Sequence, residues 1–200
     1  MKPLYMKLFL VFSLFAFSFF TSIAQDKPEG LFINSKAPDF KVKDQSGNDI
    51  SLKELRKKGP VVIVFYRGYW CPYCNKELTR FQDSLQFLTE KGAQVVAITP
   101  EGAEGVAKTI EKTKASFPIL SDADMKIAKN YQVSFAVDDK TLARYKNADI
   151  DLLANNGQKE KAFLPVPAVY IVNKDGVVTF RYFDADYRKR VFVKDILKEL

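Results

Sequence analysis

The stretch at 61–78 reads VVIVFYRGYWCPYCNKEL. Its first six residues form an unbroken apolar run, mostly β-branched, which predicts a strand buried on both faces. Its end opens a helix. Over 75–91, Leu78, Phe81, Leu85 and Leu88 recur at helical spacing, and Gly92 stands where a helix stops. Between strand and helix lie the chain's two cysteines, Cys71 and Cys74, behind Trp70. Pro72 suits a first helical turn because it has no N–H to leave unpaired. Such a helix start favours a negatively charged sulfur, through free backbone N–H groups and the helix dipole.

Working outward, Phe40 and Val42 alternate with charges ahead of an SGN turn, and Ile50 resumes the pattern, which predicts a small hairpin. Ser51, with Glu54 three residues on, predicts a capped helix over 51–57. A second buried strand is expected over 93–99, a helix over 104–113, a short strand over 117–122 and a helical turn or two over 125–131. The polar segment 134–163 reads as an insertion that partly folds into helix. Two strands, 168–172 and 177–182, flank an Asn-Lys-Asp-Gly turn. Val193, Ile196, Leu197 and Leu200 mark a final helix over 187–200. This order predicts an α/β domain with a mixed central sheet flanked by helices on both faces. In such folds reactive groups gather at the carboxyl ends of strands, which is where the cysteines fall.

The 200 residues fit one domain, and the balance of 47% apolar to 28% charged residues is that of a globular chain. The N-terminus differs in kind. Lys2 and Lys7 precede the apolar run LFLVFSLFAFSFF at 8–20, and Ser22, Ile23 and Ala24 follow. This predicts a secretory leader over 1–24, cleaved after Ala24, then a linker over 25–35 and the domain over 36–200. The run is short for a membrane span, so membrane attachment is expected only if the leader is retained. Export implies the periplasm or the extracellular space, where disulfides form and persist. The net charge of +7 is scattered among acidic residues, as in DADYRKR at 184–190, with no stripe suited to nucleic acid.

A structural zinc site needs four ligands, and the chain has two cysteines and no histidine. A Cu(I) carrier stays as a further alternative, short of donors, since two thiolates and Met125 are all the soft ligands left after the leader. The missing histidine also excludes Cys–His hydrolases and serine triads of the usual type. A disulfide staple across so short a loop removes little chain entropy. Thiol redox chemistry remains, with no cofactor and no metal required.

WCPYC between a strand and a helix resembles the thioredoxin superfamily and its fold. Val166-Pro167 before AVYIV resembles that superfamily's cis-proline, which faces the cysteines and receives the substrate backbone. More of the chain, roughly 36–182, resembles the AhpC/TSA family of peroxiredoxin-like proteins, and within it the subgroup with a Cys-x-x-Cys pair. The matching pieces are APDF at 37–40, FY at 65–66, KEL at 76–78 and NKDG at 173–176. The departures concern mechanism. Aligned on FY and KE, the peroxidatic cysteine of that family corresponds to Cys74, its threonine to Cys71, its proline to Arg67, and its later arginine falls near Pro167. Arg67 is the substitute for that arginine. The buried aspartate of thioredoxins is Phe65 here, which leaves Glu77, in Cys-x-x-Cys-x-x-Glu, as the proton acceptor. Pro72-Tyr73 resembles the glutaredoxin pair.

With the leader predicting export, the resemblance implies a thiol–disulfide oxidoreductase with an antioxidant role. Cys71, expected to be the more exposed sulfur, attacks a protein or small-molecule disulfide. Cys74 resolves the mixed disulfide and leaves a redox-active Cys71–Cys74 bond. Pro167 and Val166 orient the substrate, Trp70, Tyr73 and Arg67 shape the surface that binds it, and Glu77 manages the proton. A thioredoxin-like or glutathione-like thiol resets the pair. The alternative is a thiol-dependent peroxidase in which peroxide attacks at Cys74, with the order of the sulfurs reversed.

Overall fold

The computed structural model describes residues 27–200. The leader and the cleavage point after Ala24 lie outside the described residues.

A five-stranded mixed sheet forms the centre. Its strands are β3 (Val61–Phe65), β4 (Gln94–Thr99), β5 (Ile119–Ser121), β8 (Ala168–Val172) and β9 (Val178–Phe183), in the order β5-β4-β3-β8-β9. β3, β4 and β5 run parallel, while β8 and β9 run antiparallel to their neighbours. β3 lies in the middle and is buried along its whole length. Its side chains divide by the two-residue period of a strand. Val62, Val64 and Tyr66 join a core with Leu78, Phe81 and Val106, and Val61, Ile63 and Phe65 join one with Leu52, Ile127 and Tyr131. Each fully buried side chain of this kind contributes about 1.5–3 kcal/mol.

Helices cover both faces. α1 (Leu52–Lys58) and α5 (Lys126–Asn130) pack on one, and α2 (Pro72–Asp83), α3 (Leu85–Glu90), α4 (Ala103–Thr113) and α8 (Val193–Lys198) on the other. A hairpin of β1 (Lys41–Lys43) and β2 (Asp49–Ser51) precedes α1. Gly59 turns the chain from α1 into β3, and only glycine fits there, since a Cβ would stand 1.9 Å from the Gly92 carbonyl oxygen.

The structure departs from the sequence reading in five places, each with a local cause. Ser51 lies extended and its side chain caps nothing. Asp39, from the APDF segment, takes that role by accepting from the Lys53 amide at 2.9 Å. The single helix expected over 75–91 is two helices that meet at Ser84, and the apolar spacing runs unbroken through the junction, so periodicity conceals it.

The expected linker is held to the domain from Gly30 onward. Gly30 donates to the Gln132 carbonyl, Leu31 to Tyr170 Oη and Asn34 to the Val178 carbonyl, at 2.8–3.1 Å. Amides spent one at a time on distant partners leave no strand or helix period to read.

The insertion folds more fully than expected. Strands β6 (Ser134–Ala136) and β7 (Phe163–Pro165) pair antiparallel and enclose α6 (Asp139–Lys146) and α7 (Leu152–Asn155). Asp138 and Asp151 cap the two helices.

The last helix starts at Val193 instead of 187. Asp184 accepts from the Asp186 amide and Asp186 from the Arg188 amide, so local side-chain bonds replace the first helical turns.

Candidate active site

β3 ends at Phe65, and the chain leaves the sheet through Tyr66, Arg67, Gly68, Tyr69 and Trp70 to reach α2. This loop is pinned at several points. The Tyr69 amide donates to both carboxylate oxygens of Glu101 at 3.0 Å. The Tyr69 carbonyl accepts from Asn75 Nδ2 at 2.7 Å and from Lys112 Nζ at 3.2 Å. The Cys71 amide donates back to the Gly68 carbonyl, which closes a turn. Cys71 is the N-cap of α2 and Pro72 its first residue.

Both sulfurs lie at 0% exposure, so Cys71 is not the exposed thiol the sequence suggested. The turn at 68–71 draws it in beside Arg67, and Cys74, in the first turn of α2, joins the same apolar core. The two thiols are free, and the Cys74 Sγ–H donates to Cys71 Sγ at 2.7 Å. The Cys71 sulfur also accepts from the Cys74 amide at 3.4 Å and from Arg67 Nη2 at 3.5 Å. The Cys74 thiol and the Arg67 charge hold Cys71 well below the ordinary thiol range, against the effect of burial. Burial, and the hydrogen that Cys74 gives to Cys71, push Cys74 well above it. The two cysteines are therefore pulled in opposite directions, Cys71 toward the thiolate and Cys74 toward the protonated thiol.

Arg67 is buried and belongs to this site. Its Nη1 donates to Tyr145 Oη at 2.8 Å, and its guanidinium lies over the rings of Tyr187 and Trp70, at 3.8 and 5.1 Å. Trp70 packs edge-on against Tyr145 with ring centres 5.0 Å apart. Tyr73 is exposed and meets Tyr187 edge-on at 5.8 Å. A cavity of about 480 Å³ opens beside Arg67, between Phe135, Val137, Tyr145, Ile150, Leu164 and Tyr187.

Glu77 is buried, and its carboxylate pairs with Arg190, Nε to Oε2 at 2.7 Å. Burial pushes the Glu77 carboxyl up to about 7, against the pull of Arg190. Glu77 makes no hydrogen bond to either sulfur; it is Arg190 Nη2 that reaches Cys74 Sγ, at 3.5 Å. Pro167 also differs from expectation. The described residues contain no cis peptide bond, so Val166–Pro167 is trans. β7 runs almost directly into β8, and the Val166 amide is already given to the Val133 carbonyl at 2.8 Å. The register Phe65↔Ala168 puts Pro167 next in line, at the end of the sheet from which the cysteine loop departs.

The sequence reading missed four members of the site. Tyr145 lies in the insertion, Tyr187 and Arg190 in the irregular segment before α8, and Glu101 just after β4. None carries a local motif. Glu101 alone had a signal, as a carboxylate at the carboxyl end of a buried parallel strand.

The chain matches the model of the AhpC/TSA family over residues 33–181. It is 33% identical over 148 residues to the chloroplastic peroxiredoxin Q of Sedum lineare, covering 74% of this chain and 67% of that protein. It is 30% identical over 148 residues to the chloroplastic peroxiredoxin Q of Oryza sativa subsp. japonica, covering 74% of this chain and 57% of that one. Among solved structures, the peroxidoxin BcpB of Mycobacterium tuberculosis superposes with a TM-score of 0.66 at 22% identity, over 84% of this chain and 94% of that one. A C84S mutant of Xanthomonas campestris peroxiredoxin Q superposes with a TM-score of 0.60 at 16% identity, over 80% and 88%. These structures share the thioredoxin-like peroxiredoxin fold. With a family match across most of its length and a thiol pair at the end of the central strand, the chain belongs to the AhpC/TSA family.

Proposed function

We propose that the chain is an exported, thiol-dependent oxidoreductase that reduces peroxide, with Cys71 as the attacking thiolate and Cys74 as the resolving thiol. One observation carries the order of attack. Cys71 Sγ accepts hydrogen bonds from the Arg67 guanidinium, the Cys74 amide and the Cys74 thiol, whereas burial keeps Cys74 protonated. The nucleophile is the sulfur with stabilised negative charge.

The Cys71 thiolate attacks the terminal oxygen of the peroxide. The O–O bond breaks, alkoxide or hydroxide leaves and takes up a proton, and Cys71 becomes a sulfenic acid. Arg67, already beside the sulfur, faces the charge that develops on the departing oxygen. Cys74 then displaces the sulfenic hydroxyl as water and forms the Cys71–Cys74 disulfide. An external dithiol or glutathione-like thiol supplies two electrons to restore the pair.

Two observations favour peroxide over a protein disulfide as first substrate. The chain is similar to peroxiredoxins Q, and both cysteines are fully buried, which suits a small molecule better than a folded protein. Exchange with a small disulfide uses the same order of sulfurs and is the second reading.

Single-cysteine variants test the order. With hydrogen peroxide, Cys74→Ser is expected to trap a sulfenic acid at Cys71, read as a mass shift with a dimedone-type probe. Rapid trapping at Cys74 in Cys71→Ser, with none at Cys71 in Cys74→Ser, would reverse the assignment. The leader supports export, and N-terminal sequencing of the protein recovered from the cell envelope is expected to begin at Gln25.

A further inference from the structure

Each of the two sulfurs has its own arginine. Arg67 Nη2 lies 3.5 Å from Cys71, and Arg190 Nη2 lies 3.5 Å from Cys74. They come from distant parts of the sequence, Arg67 from the loop after β3 and Arg190 from the segment that leads into α8. Arg190 is not a surface charge that has drifted inward. Its side chain is 6% exposed, and that of its ion partner Glu77 is 3% exposed. Nη1 of Arg190 donates to the carbonyls of Tyr187 and Lys189, so the guanidinium is tethered on one side by its own backbone and on the other by Glu77. What remains is Nη2, directed at the sulfur.

Burying such a pair is expensive, and well-packed apolar residues at the same place are often as stable or more so. Stability alone is a poor reason to keep a cation there. The chemistry of the second step supplies a better one. Cys74 is the thiol held toward its protonated form, yet it must become a thiolate to close the disulfide. A cation held against it in a site without solvent stabilises that charge as it forms.

We infer that Arg190 is a catalytic residue of the resolving step, steadying Cys74 as a thiolate while it closes the bond to Cys71, and that Glu77 is the positioning residue that aims Arg190. This rests on the order of attack proposed above. In the step concerned, the Cys74 S–H bond breaks and the S–S bond forms as the S–O bond of Cys71 sulfenic acid breaks. The proton leaves with hydroxide as water. Cys74 sulfur is oxidised and Cys71 sulfur reduced, so the step needs no oxidant beyond the peroxide already consumed. Arg190 keeps its own protons throughout.

The full-length reduced protein, mixed with one equivalent of hydrogen peroxide in a stopped flow, separates the two steps. Trp70, the chain's one tryptophan and the neighbour of Cys71, reports both as fluorescence phases. In Arg190→Gln the first phase is expected within about twofold of wild type, and the second slowed about tenfold or more. Arg190→Lys is expected to recover part of the second phase, as a charge would and a merely structural contact would not. Glu77→Gln is expected to slow the second phase less than Arg190→Gln does. A second phase unchanged in Arg190→Gln, or both phases slowed alike, would overturn the inference, as would Arg190→Lys behaving like Arg190→Gln. Cys74→Ser, which should show the first phase alone, keeps the two ideas apart. If Cys71→Ser shows it instead, the order of attack falls, and Arg190 moves with Cys74 to the first step.

Discussion

The guanidinium of Arg67 lies 3.8 Å from the ring centre of Tyr187 while its Nη2 reaches Cys71 Sγ at 3.5 Å. The cation beside the Cys71 sulfur thus lies against a ring from the far end of the chain. Removing the charge should leave Cys71 harder to ionise. In Arg67→Met, the midpoint of thiolate absorbance at 240 nm is expected to rise relative to wild type, with Cys74→Ser as the background so that one thiol titrates. Peroxide reduction by Cys71 should fall roughly ten- to a hundredfold at neutral pH. An unchanged midpoint would separate Arg67 from the thiolate.

Tyr145 fixes the same arginine through its hydroxyl, at 2.8 Å. Tyr145→Phe keeps the ring against Trp70 and deletes only that acceptor. A fall of roughly three- to tenfold in kcat/KM is expected, with a Tm change of only a few degrees. A mutant with wild-type kinetics would show that Trp70 and Tyr187 suffice to aim Arg67.

Gly68 cannot carry a side chain without disturbing the loop. A Cβ there would stand 2.5 Å from both Glu101 Oε1 and Trp70 Nε1. Gly68→Ala is expected to displace the turn that sets Cys71 at the helix start. Activity should drop more than tenfold, well beyond what lost stability explains. Near-UV circular dichroism of Trp70 offers the check, since an unaltered signal with full activity would mean that the loop absorbs the methyl group.

Glu101 makes stability depend on pH with a definite sign. Burial raises its carboxyl from 4.5 to about 7 in the folded chain. Between those values the folded protein keeps a proton that the unfolded chain has released. The stability it contributes is complete below pH 4.5 and is lost as pH rises through about 7. Glu101→Gln mimics the protonated form. Its Tm advantage over wild type should therefore be near zero below about pH 4.5, grow as pH rises from there to about 7, and level off above. A gap that stays constant from acid to mildly alkaline pH would show that Glu101 ionises freely.

The apolar cavity beside Arg67 is bounded at its rim by Ala148. Ala148→Trp should narrow that entrance. Reduction of cumene hydroperoxide is expected to slow several-fold while hydrogen peroxide is little affected. Equal slowing of both would point to a disturbed Arg67 instead of a blocked cavity.

The strand 61–65, the helix start at Pro72 and the placing of a thiol pair between them were legible from a short stretch, because period, β-branching and helix-start chemistry are local properties. The same holds for the turn at 173–176. The break at Ser84 and the late start of α8 were hidden, the first by continuous apolar spacing and the second by aspartates that bond their own backbone. The site shows the same division. Cys71, Cys74, Trp70 and Arg67 are sequence neighbours and were found together. Tyr145, Tyr187, Arg190 and Glu101 come from four other segments, and charge or aromaticity at a single position carries no address. The different surroundings of the two sulfurs were likewise beyond the sequence. A Cys-x-x-Cys pair at a helix start is chemically nearly symmetric until the fold removes both sulfurs from water and sets a different arginine against each. Local pattern determined that this chain builds a thiol pair at the start of the helix that follows a central strand; only tertiary structure, by burial and long-range placement of charge, decided what surrounds each thiol.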